Sequence, residues 1–591
     1  MRDRIVKEIS KHVQAYCEEI NFSFSPGLID IQRPPKEEMG DFALASAMRL
    51  AKVAKKPPIE IAKILTEKFR ANNSIFSKIE TVPPGFVNFY LNDSAITEEL
   101  EKFFGKIGQM VKSDQKPLTV VVDYSAVNIA KQMHVGHIRS TIIGDILARV
   151  LEARGEKVIA QNHLGDWGLP IAKVLWKVSP ILRDLEKNGK NPSEELPLAK
   201  LEGIYREANQ ACLENKEADD EVHKILIQLQ NGDEKLLDDW KMVTRLSMNE
   251  IYRVYRLLDV KLTEEHERGE SFYRGLLADT VTEISKSGKM VESQGAKCVF
   301  LSQFKTKDGS PLPIIVQKSD GGYNYDTFDL AAVRYRLRDL DADRIIYVTD
   351  ARQSLHFSQL FALTEELGWN QKDGKKIPME HVAFGSILGE DGKPLKTRSG
   401  ENVKLADLLQ EAIERSYSVV NEKNPELSDE KKREVAKFVG IGAVKYADLS
   451  QNRNNDYIFS FDRMLALNGN TAPYLQYAHA RVCSIFRKGK IDESLIPSRP
   501  NCLAPVERRL SLKILQLPEI VRQVEVELRP HYLCTYLFEL ASIFANFYDE
   551  CPILVASSES EKLSRLSLCK QVRDTISFGL GLLGIEAPQE M

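Results

Sequence analysis

No two of the eight cysteines, Cys17, Cys212, Cys298, Cys483, Cys502, Cys534, Cys551 and Cys569, form a CxxC pair. That scatter excludes the usual zinc ribbon and redox dithiol, and leaves reduced, mostly buried thiols as the expectation. No metal-ligand set is read from the chain. No apolar run is long enough to cross a bilayer, and MRDRIVKEISKHV opens an amphipathic helix rather than a leader. Neither a signal peptide nor a transmembrane span is therefore expected, and the protein is expected in the cytosol with no membrane partner. Excess positive charge is missing too: 81 Lys and Arg stand against 85 Asp and Glu, a net charge of −4. A dedicated polyanion binder would leave a basic footprint, so any RNA contact must use local patches, and composition alone favours a metabolic enzyme. Internal repeats and low-complexity tracts are also lacking.

What is there is an ordinary globular composition, 43% hydrophobic and 28% charged over 591 residues, enough for roughly three to five domains. Residues 1–110 alternate helical stretches, Ile5–Ile20 and Leu44–Phe69, with short apolar strands ending in PPGFVNFYL, as a separate α/β unit would. The polar stretch GQMVKSDQKP at 108–117 marks a linker. LTVVVDYS at 118–125 then reads as a strand, and HVGHIRSTIIGDILARVLEARG as a helix whose Ile138, Ile142, Ile146 and Val150 share one face before Gly155. KVIAQNHLGDWG supplies a second strand and loop, the βαβ opening of a doubly wound sheet. From about 172 to 290 the pattern turns helical and charged, as in an insertion. A second α/β portion is expected from FLSQF, PLPIIVQ, a helix near Asp329–Arg338 and the strand RIIYVTD at 344–350. Nearly everything after 401 reads as helix.

The sharpest chemical feature is His134-Val135-Gly136-His137, set where the first strand gives way to a helix. Unpaired N–H groups and the dipole make a helix start attractive to anions, and histidines three apart share a face. Both can donate hydrogen bonds to a triphosphate as charge moves onto its leaving oxygens. Gly136 lets a flat base approach the backbone. The bland alternative is capping chemistry around a buried turn. A basic loop at 393–400, KPLKTRSG, follows the second half, where Lys393, Lys396 and Arg398 are placed to close over phosphates; alone it would be a solvated turn.

HVGH after a first strand, with a KMSKS-like loop after the second half, resembles the class I aminoacyl-tRNA synthetases. The words YSAVNIAKQMHVGHIRSTIIGD, NHLGDWG, GKPLKTRSGENVKLADLL and APYLQYAHARVCSIFRK are similar to those of arginyl-tRNA synthetases, and the likeness runs over essentially the whole chain. It implies a multidomain α/β protein with a split, Rossmann-like parallel sheet, a helical C-terminal anticodon-binding domain and a small α/β N-terminal domain. The expected divisions are an N-terminal unit at 1–110 that touches the tRNA elbow, a catalytic domain at 117–400 with an insertion at about 173–290, a stem-contacting segment at 401–450 and an anticodon-binding domain at 451–591.

The PLKTR register puts Thr397 where the second KMSKS lysine belongs. The resemblance implies that Lys131, in the NIAKQMH loop, supplies the missing charge; a surface lysine is the bland alternative. A guanidinium carries five donors in a plane and calls for carboxylate forks and an aromatic wall. The resemblance assigns Asp123, Asn128, Tyr325, Asp329 and Gln353 to that pocket. It further implies in-line attack of the arginine carboxylate on the α-phosphate of ATP, with Mg2+ accompanying the ATP, then ester transfer to the 3′ end of tRNA(Arg), the first step requiring bound tRNA. Phe86 and Asn88 are expected at the tRNA elbow, and Tyr474, Tyr477, Tyr548 and Met591 at the anticodon loop, although aromatics at helical spacing more often build core. Pro552 stands where some relatives place tryptophan. A monomer is expected. Three rivals stay open: a synthetase for another amino acid such as cysteine or glutamine, an RNA-binding paralogue without catalysis, and a small nucleotidylyltransferase using HxGH.

Overall fold

The computed structural model describes residues 1–71, 74–396, 402–501 and 503–591. Its N-terminal unit is a four-stranded antiparallel sheet, ordered β1 (Ile31–Gln32), β2 (Phe42–Leu44), β4 (Phe86–Leu91), β3 (Phe76–Val82). Ile5, Ile9 and Val13 of the first helix, Arg2–Glu19, are fully buried. The helical stretch expected from Leu44 to Phe69 divides: Leu44 belongs to β2, and Ser46–Ala54 and Pro58–Ala71 are separate helices. Lys55 between them is left-handed at φ 50°, and Pro57 and Pro58 cannot extend a helix behind it.

The central sheet is parallel, in the order β13 (Met379–His381), β10 (Arg344–Tyr347), β5 (Thr119–Asp123), β6 (Lys157–Gln161). Val120, Val121 and Val122 are at most 1% exposed, because a parallel strand is covered on both faces and must be apolar on both. The helix Gly136–Arg154 follows β5 and ends at Gly155, which takes φ 96°. Its Ile142 and Ile146 are fully buried, and truncating either to alanine should cost ~2–5 kcal/mol.

Between the halves of the core, helices Leu169–Lys187, Leu198–Glu214, Lys216–Gln230 and Glu234–Leu257 form the helical insertion. Although Leu301, Ile314 and Val316 are buried in one cluster with Val121 and Ile345, FLSQF and PLPIIVQ do not join the central sheet, contrary to expectation. They lie in β8 (Ala296–Lys305) and β9 (Pro311–Gln317), which with β7 (Met290–Ser293) make a separate antiparallel sheet. Short loops between these strands permit only hairpin pairing, whereas a parallel crossover needs a dozen residues or more. A small hairpin, β11 (Gln371–Lys372) with β12 (Lys375–Lys376), precedes β13. Beyond it, β14 (Ile387–Leu388) pairs in parallel with β15 (Tyr457–Ile458). The rest of the C-terminal part is helical, from Leu405–Lys423 to Glu559–Leu582. The seven described cysteines are unpaired, five of them buried. No described helix is long and apolar enough to cross a membrane.

Candidate active site

The carboxyl ends of β5 and β10 lie side by side, Asp123 opposite Tyr347, and the conspicuous loops leave the sheet there, where ligands of open parallel sheets bind. After β5 the chain takes left-handed conformations at Ser125, Ala126 and Ala130, costly for residues with a Cβ. Side chains from elsewhere hold them: Ser140 Oγ accepts from the Ser125 amide, Asn162 Oδ1 from Ala126 and Ser247 Oγ from Ala130. This loop delivers Asn128 and Lys131, then the HVGH turn.

His134 precedes the helix and His137 sits in its first turn, with ring centroids 3.9 Å apart. His137 Nδ1 accepts the backbone N–H of His134, and His134 Nδ1 accepts that of Gly136, both at 3.1 Å. With each Nδ1 an acceptor, each neutral ring carries its proton on Nε2, free to donate outward. Burial lowers both basicities, and His134 adds to the effect on His137, which falls to about 3. A Cβ on Gly136 would lie 2.9 Å from His134 Cε1, so the glycine also makes room for that ring.

The basic loop is anchored at both ends. Leu395 N–H donates to Ile387 O, and Pro394 and Leu388 form an antiparallel bridge. On its return, Lys404 bridges His134; Val135 N–H donates to Val403 O and Leu405 N–H to Met133 O, each at 2.9 Å. The segment behind the loop is thus laid along the HVGH turn. Lys393 and Lys396 are exposed on the ascending side; Arg398 and Thr397 lie outside the described residues. Lys131 Nζ stands 4.8 Å from the ring centroid of Tyr205 in the insertion.

A pocket of 290 Å³ opens beside this turn, and Asn128, Lys131, Tyr205, Glu270 and Tyr325 are among its lining residues. Tyr325 begins the helix Tyr325–Arg338, and Asp329 follows one turn later. Asp329 Oδ2 is 2.7 Å from His356 Nε2, and His356 Nδ1 is 3.1 Å from Asp326 Oδ1. Burial is the largest influence and opposes ionisation of Asp329, but the bond from His356 and the charges of His163, His356 and Arg336 together outweigh it and hold the carboxyl below its ordinary range. Asp123 is 6% exposed, with Oδ2 accepting from Arg336 Nη2 at 2.7 Å and Oδ1 buried without a partner. Gln353 is exposed at the end of the turn Ala351–Gln353, one turn before His356.

Glu270 was invisible to sequence reasoning, since ERGESF falls inside the expected insertion. Burial, then the charges of Asp166 and Asp329, push its carboxyl up to about 8. Among the described residues it has no cation partner, as a group awaiting a cationic ligand would be. A larger cleft of 1170 Å³ lies at the other end of the strands, where Leu118, Val120 and Arg344 meet the N-terminal unit and the helix Leu517–Glu527. That is the amino edge of the sheet, remote from these groups.

In the C-terminal helices, Arg481 is held between Tyr477 and Tyr548, its guanidinium 5.3 and 4.9 Å from their ring centroids. Both tyrosines are well exposed, at 41% and 39%. Tyr474 is half-buried against Phe538. Met591 packs on Val420, Val435 and Val439. In the N-terminal unit Phe86 is half-buried at the start of β4, whereas Asn88 is only 5% exposed.

Three family descriptions match the chain: "Arginyl tRNA synthetase N terminal domain" over residues 7–91, "tRNA synthetases class I (R), catalytic domain" over 100–461 and "DALR anticodon binding domain" over 475–591. The arginine–tRNA ligase of Psychromonas ingrahamii is 43% identical over 563 residues, 95% of each chain. That of Saccharophagus degradans is 45% identical over 557 residues, 94% of each. The crystal structure of the arginyl-tRNA synthetase of Plasmodium falciparum superposes with a TM-score of 0.83 at 29% identity, covering 100% of this chain and 99% of that one. With an HVGH turn bound to the root of a basic loop at the carboxyl edge of a parallel sheet, and with identity sustained over nearly its full length, the chain belongs to the class I arginyl-tRNA synthetases.

Proposed function

We propose that the protein joins L-arginine to ATP, giving arginyl-adenylate and pyrophosphate, and passes the arginyl group to the 3′ end of tRNA(Arg). The observation that carries this reading is the convergence at one sheet edge of two outward histidine donors, the root of a basic loop and a pocket with an unpaired carboxyl, Glu270.

In this reading His134 and His137 donate from Nε2 to phosphate oxygens. As neutral donors they gain strength as charge accumulates, without binding ground-state ATP as tightly as a fixed cation would. Lys131, Lys393, Lys396 and Arg398 supply positive charge around the triphosphate, and ATP enters with Mg2+. Lys131 releases Tyr205 to reach it. The guanidinium goes to Asp329 Oδ1 and Glu270, with Tyr325 as the wall; the arriving cation offsets the burial that disfavours the Glu270 carboxylate, and the carboxyl proton leaves to solvent. Asp123, already balanced by Arg336, keeps Oδ1 for the α-ammonium, while Asn128 and Gln353 offer amides. The arginine carboxylate then attacks the α-phosphate in line, and no protein side chain acts as a covalent nucleophile; positioning and charge do the work.

Tyr477 and Tyr548, spread by Arg481, present stacking faces to anticodon bases, with Tyr474 and Met591 beside them. Phe86 and Asn88 belong to the unit assigned to the tRNA elbow; the burial of Asn88 leaves Phe86 as its contacting side chain. Because one chain holds every part, the enzyme acts as a monomer, in the cytoplasm. Aminoacylation of total tRNA with each of the twenty amino acids tests the assignment. Arginine alone should be charged; charging of another amino acid would remove Asp329 and Glu270 from their roles, and no charging would leave an inactive paralogue.

A further inference from the structure

A guanidinium ligand needs a carboxylate whose oxygens are held in place, because two fixed donors in a plane penalise a rotating acceptor. Asp329 does not hold itself: it lies one turn into the helix Tyr325–Arg338, and among the described residues no backbone N–H donates to its side chain. What holds it comes from the neighbouring helix Ser354–Glu366. His356, in the first turn of that helix, contacts Asp329 Oδ2 through Nε2 at 2.7 Å and Asp326 Oδ1 through Nδ1 at 3.1 Å.

Two aspartates three apart on one helical face repel each other, and a single imidazole donating from both nitrogens ties them. Donating from both requires the protonated ring. Burial alone would favour the neutral form, but the bonds to Asp326 and Asp329 overturn it and raise the imidazole to about 9. The ring is itself boxed in, edge-on to Tyr325 at 5.2 Å and to Phe357 at 5.3 Å. Tyr325 lines the pocket, so His356 braces its aromatic wall as well as Asp329, which follows Tyr325 by one turn on the same helix. Asp329 Oδ1 has no partner among the described residues and is the oxygen left over.

We infer that His356 is a positioning residue for arginine: it pins Asp329 through Oδ2 and turns Oδ1 toward the guanidinium, and it takes no part in ATP binding. The inference rests on the reading of Asp329 as a guanidinium ligand.

Two substitutions separate hydrogen bonding from packing. His356→Phe keeps a ring against Tyr325 and Phe357 and removes both donors; His356→Gln keeps one donor toward Asp329. Equilibrium dialysis with labelled arginine on the full-length enzyme, and arginine and ATP KM values from pyrophosphate exchange with tRNA present, give the readouts. His356→Phe should weaken arginine about 10–100-fold, the range set by loss of a charge-assisted hydrogen bond. His356→Gln should fall between it and wild type, and ATP KM should stay within about twofold in both. Wild-type arginine affinity in His356→Phe overturns the inference. Equal weakening of arginine and ATP with a lowered unfolding temperature overturns it also, since a merely structural role would act that way. Asp329→Asn serves as the control: if it binds arginine normally, the reading of the pocket fails, whereas a weakened Asp329→Asn beside an unaffected His356→Phe defeats only the role of His356.

Discussion

His137 keeps its proton on Nε2 because Nδ1 is occupied by the His134 amide, so its contribution is a directed donor and not a charge. His137→Ala should reduce kcat for pyrophosphate exchange by ~10²–10³, with His137→Gln less impaired and arginine KM little changed, as expected for a donor felt mainly in the transition state. The same residue makes stability depend on acid. An unfolded histidine protonates near pH 6.5, but folded His137 resists until about pH 3. Between those values the unfolded chain binds more protons. The contribution of His137 is therefore complete above about pH 6.5 and is lost as pH falls toward 3. Urea titrations at pH 7 and pH 5 should show a larger loss for wild type than for His137→Gln. Asp123 and Asp329 look alike in the sequence yet answer to different forces. Asp123→Asn leaves Arg336, fully buried, without its anion, and should cost ~3–5 kcal/mol in urea unfolding without any ligand present. Asp329→Asn, whose side chain is 21% exposed beside His356, should mainly raise arginine KM.

The HVGH turn and the segment 403–405 work as one element, although more than 250 residues separate them. Gly136→Ala would place a methyl 2.9 Å from the His134 ring; pyrophosphate exchange should drop at least about tenfold as the ring is displaced, while arginine affinity measured by dialysis stays at the wild-type value. An unchanged exchange rate would show that the His134 ring tolerates the shift. Much of this element is legible in the sequence alone: valine on both faces of β5, the isoleucine stripe of the next helix and the glycine that ends it are local signals that tertiary contacts only reinforce. The helix beginning at Tyr325 was legible to within a turn. What escaped depends on distant partners. Nothing around Asp123, at the end of a strand, announces that Arg336, on a helix far along the chain, will occupy one of its oxygens. Glu270 hides among the charges of a helical insertion, distinguished only by what surrounds it in space. Arg481 reads as one more helical cation until Tyr548, far along the chain, closes the other side. FLSQF and PLPIIVQ are apolar enough for a core strand, and pairing partner, not composition, sends them to a separate sheet.

Across the whole molecule, a chain with net charge −4 must bring a polyanion to several separate patches, so the relative placement of its parts matters as much as their surfaces. The N-terminal unit is fastened to the C-terminal helices by a few charged contacts. Arg508 donates to both oxygens of Asp41 at 2.9 and 2.6 Å and to Leu91 O at 3.0 Å; Arg499 reaches Thr97, and Arg33 pairs with Glu519. Asp41 is nearly buried, its side chain 9% exposed against 27% for Arg508, and its Oδ2 also accepts from Leu91 N. Removing the arginine strands that carboxylate, whereas removing both charges does not, so the single variant should differ from the double. Arg508→Ala should speed hydrogen exchange along β2 and β4 and raise the KM for tRNA severalfold. Arginine KM should not move, because the pocket shares no element with this joint. Asp41→Asn combined with Arg508→Ala should recover part of the exchange protection, since no unpaired charge remains, but not the tRNA KM, since the fork that orients the unit is still missing. If the single and double variants charged tRNA like wild type, the N-terminal unit would hold its position by apolar packing alone, and its part in placing tRNA would have to be sought in its own surface.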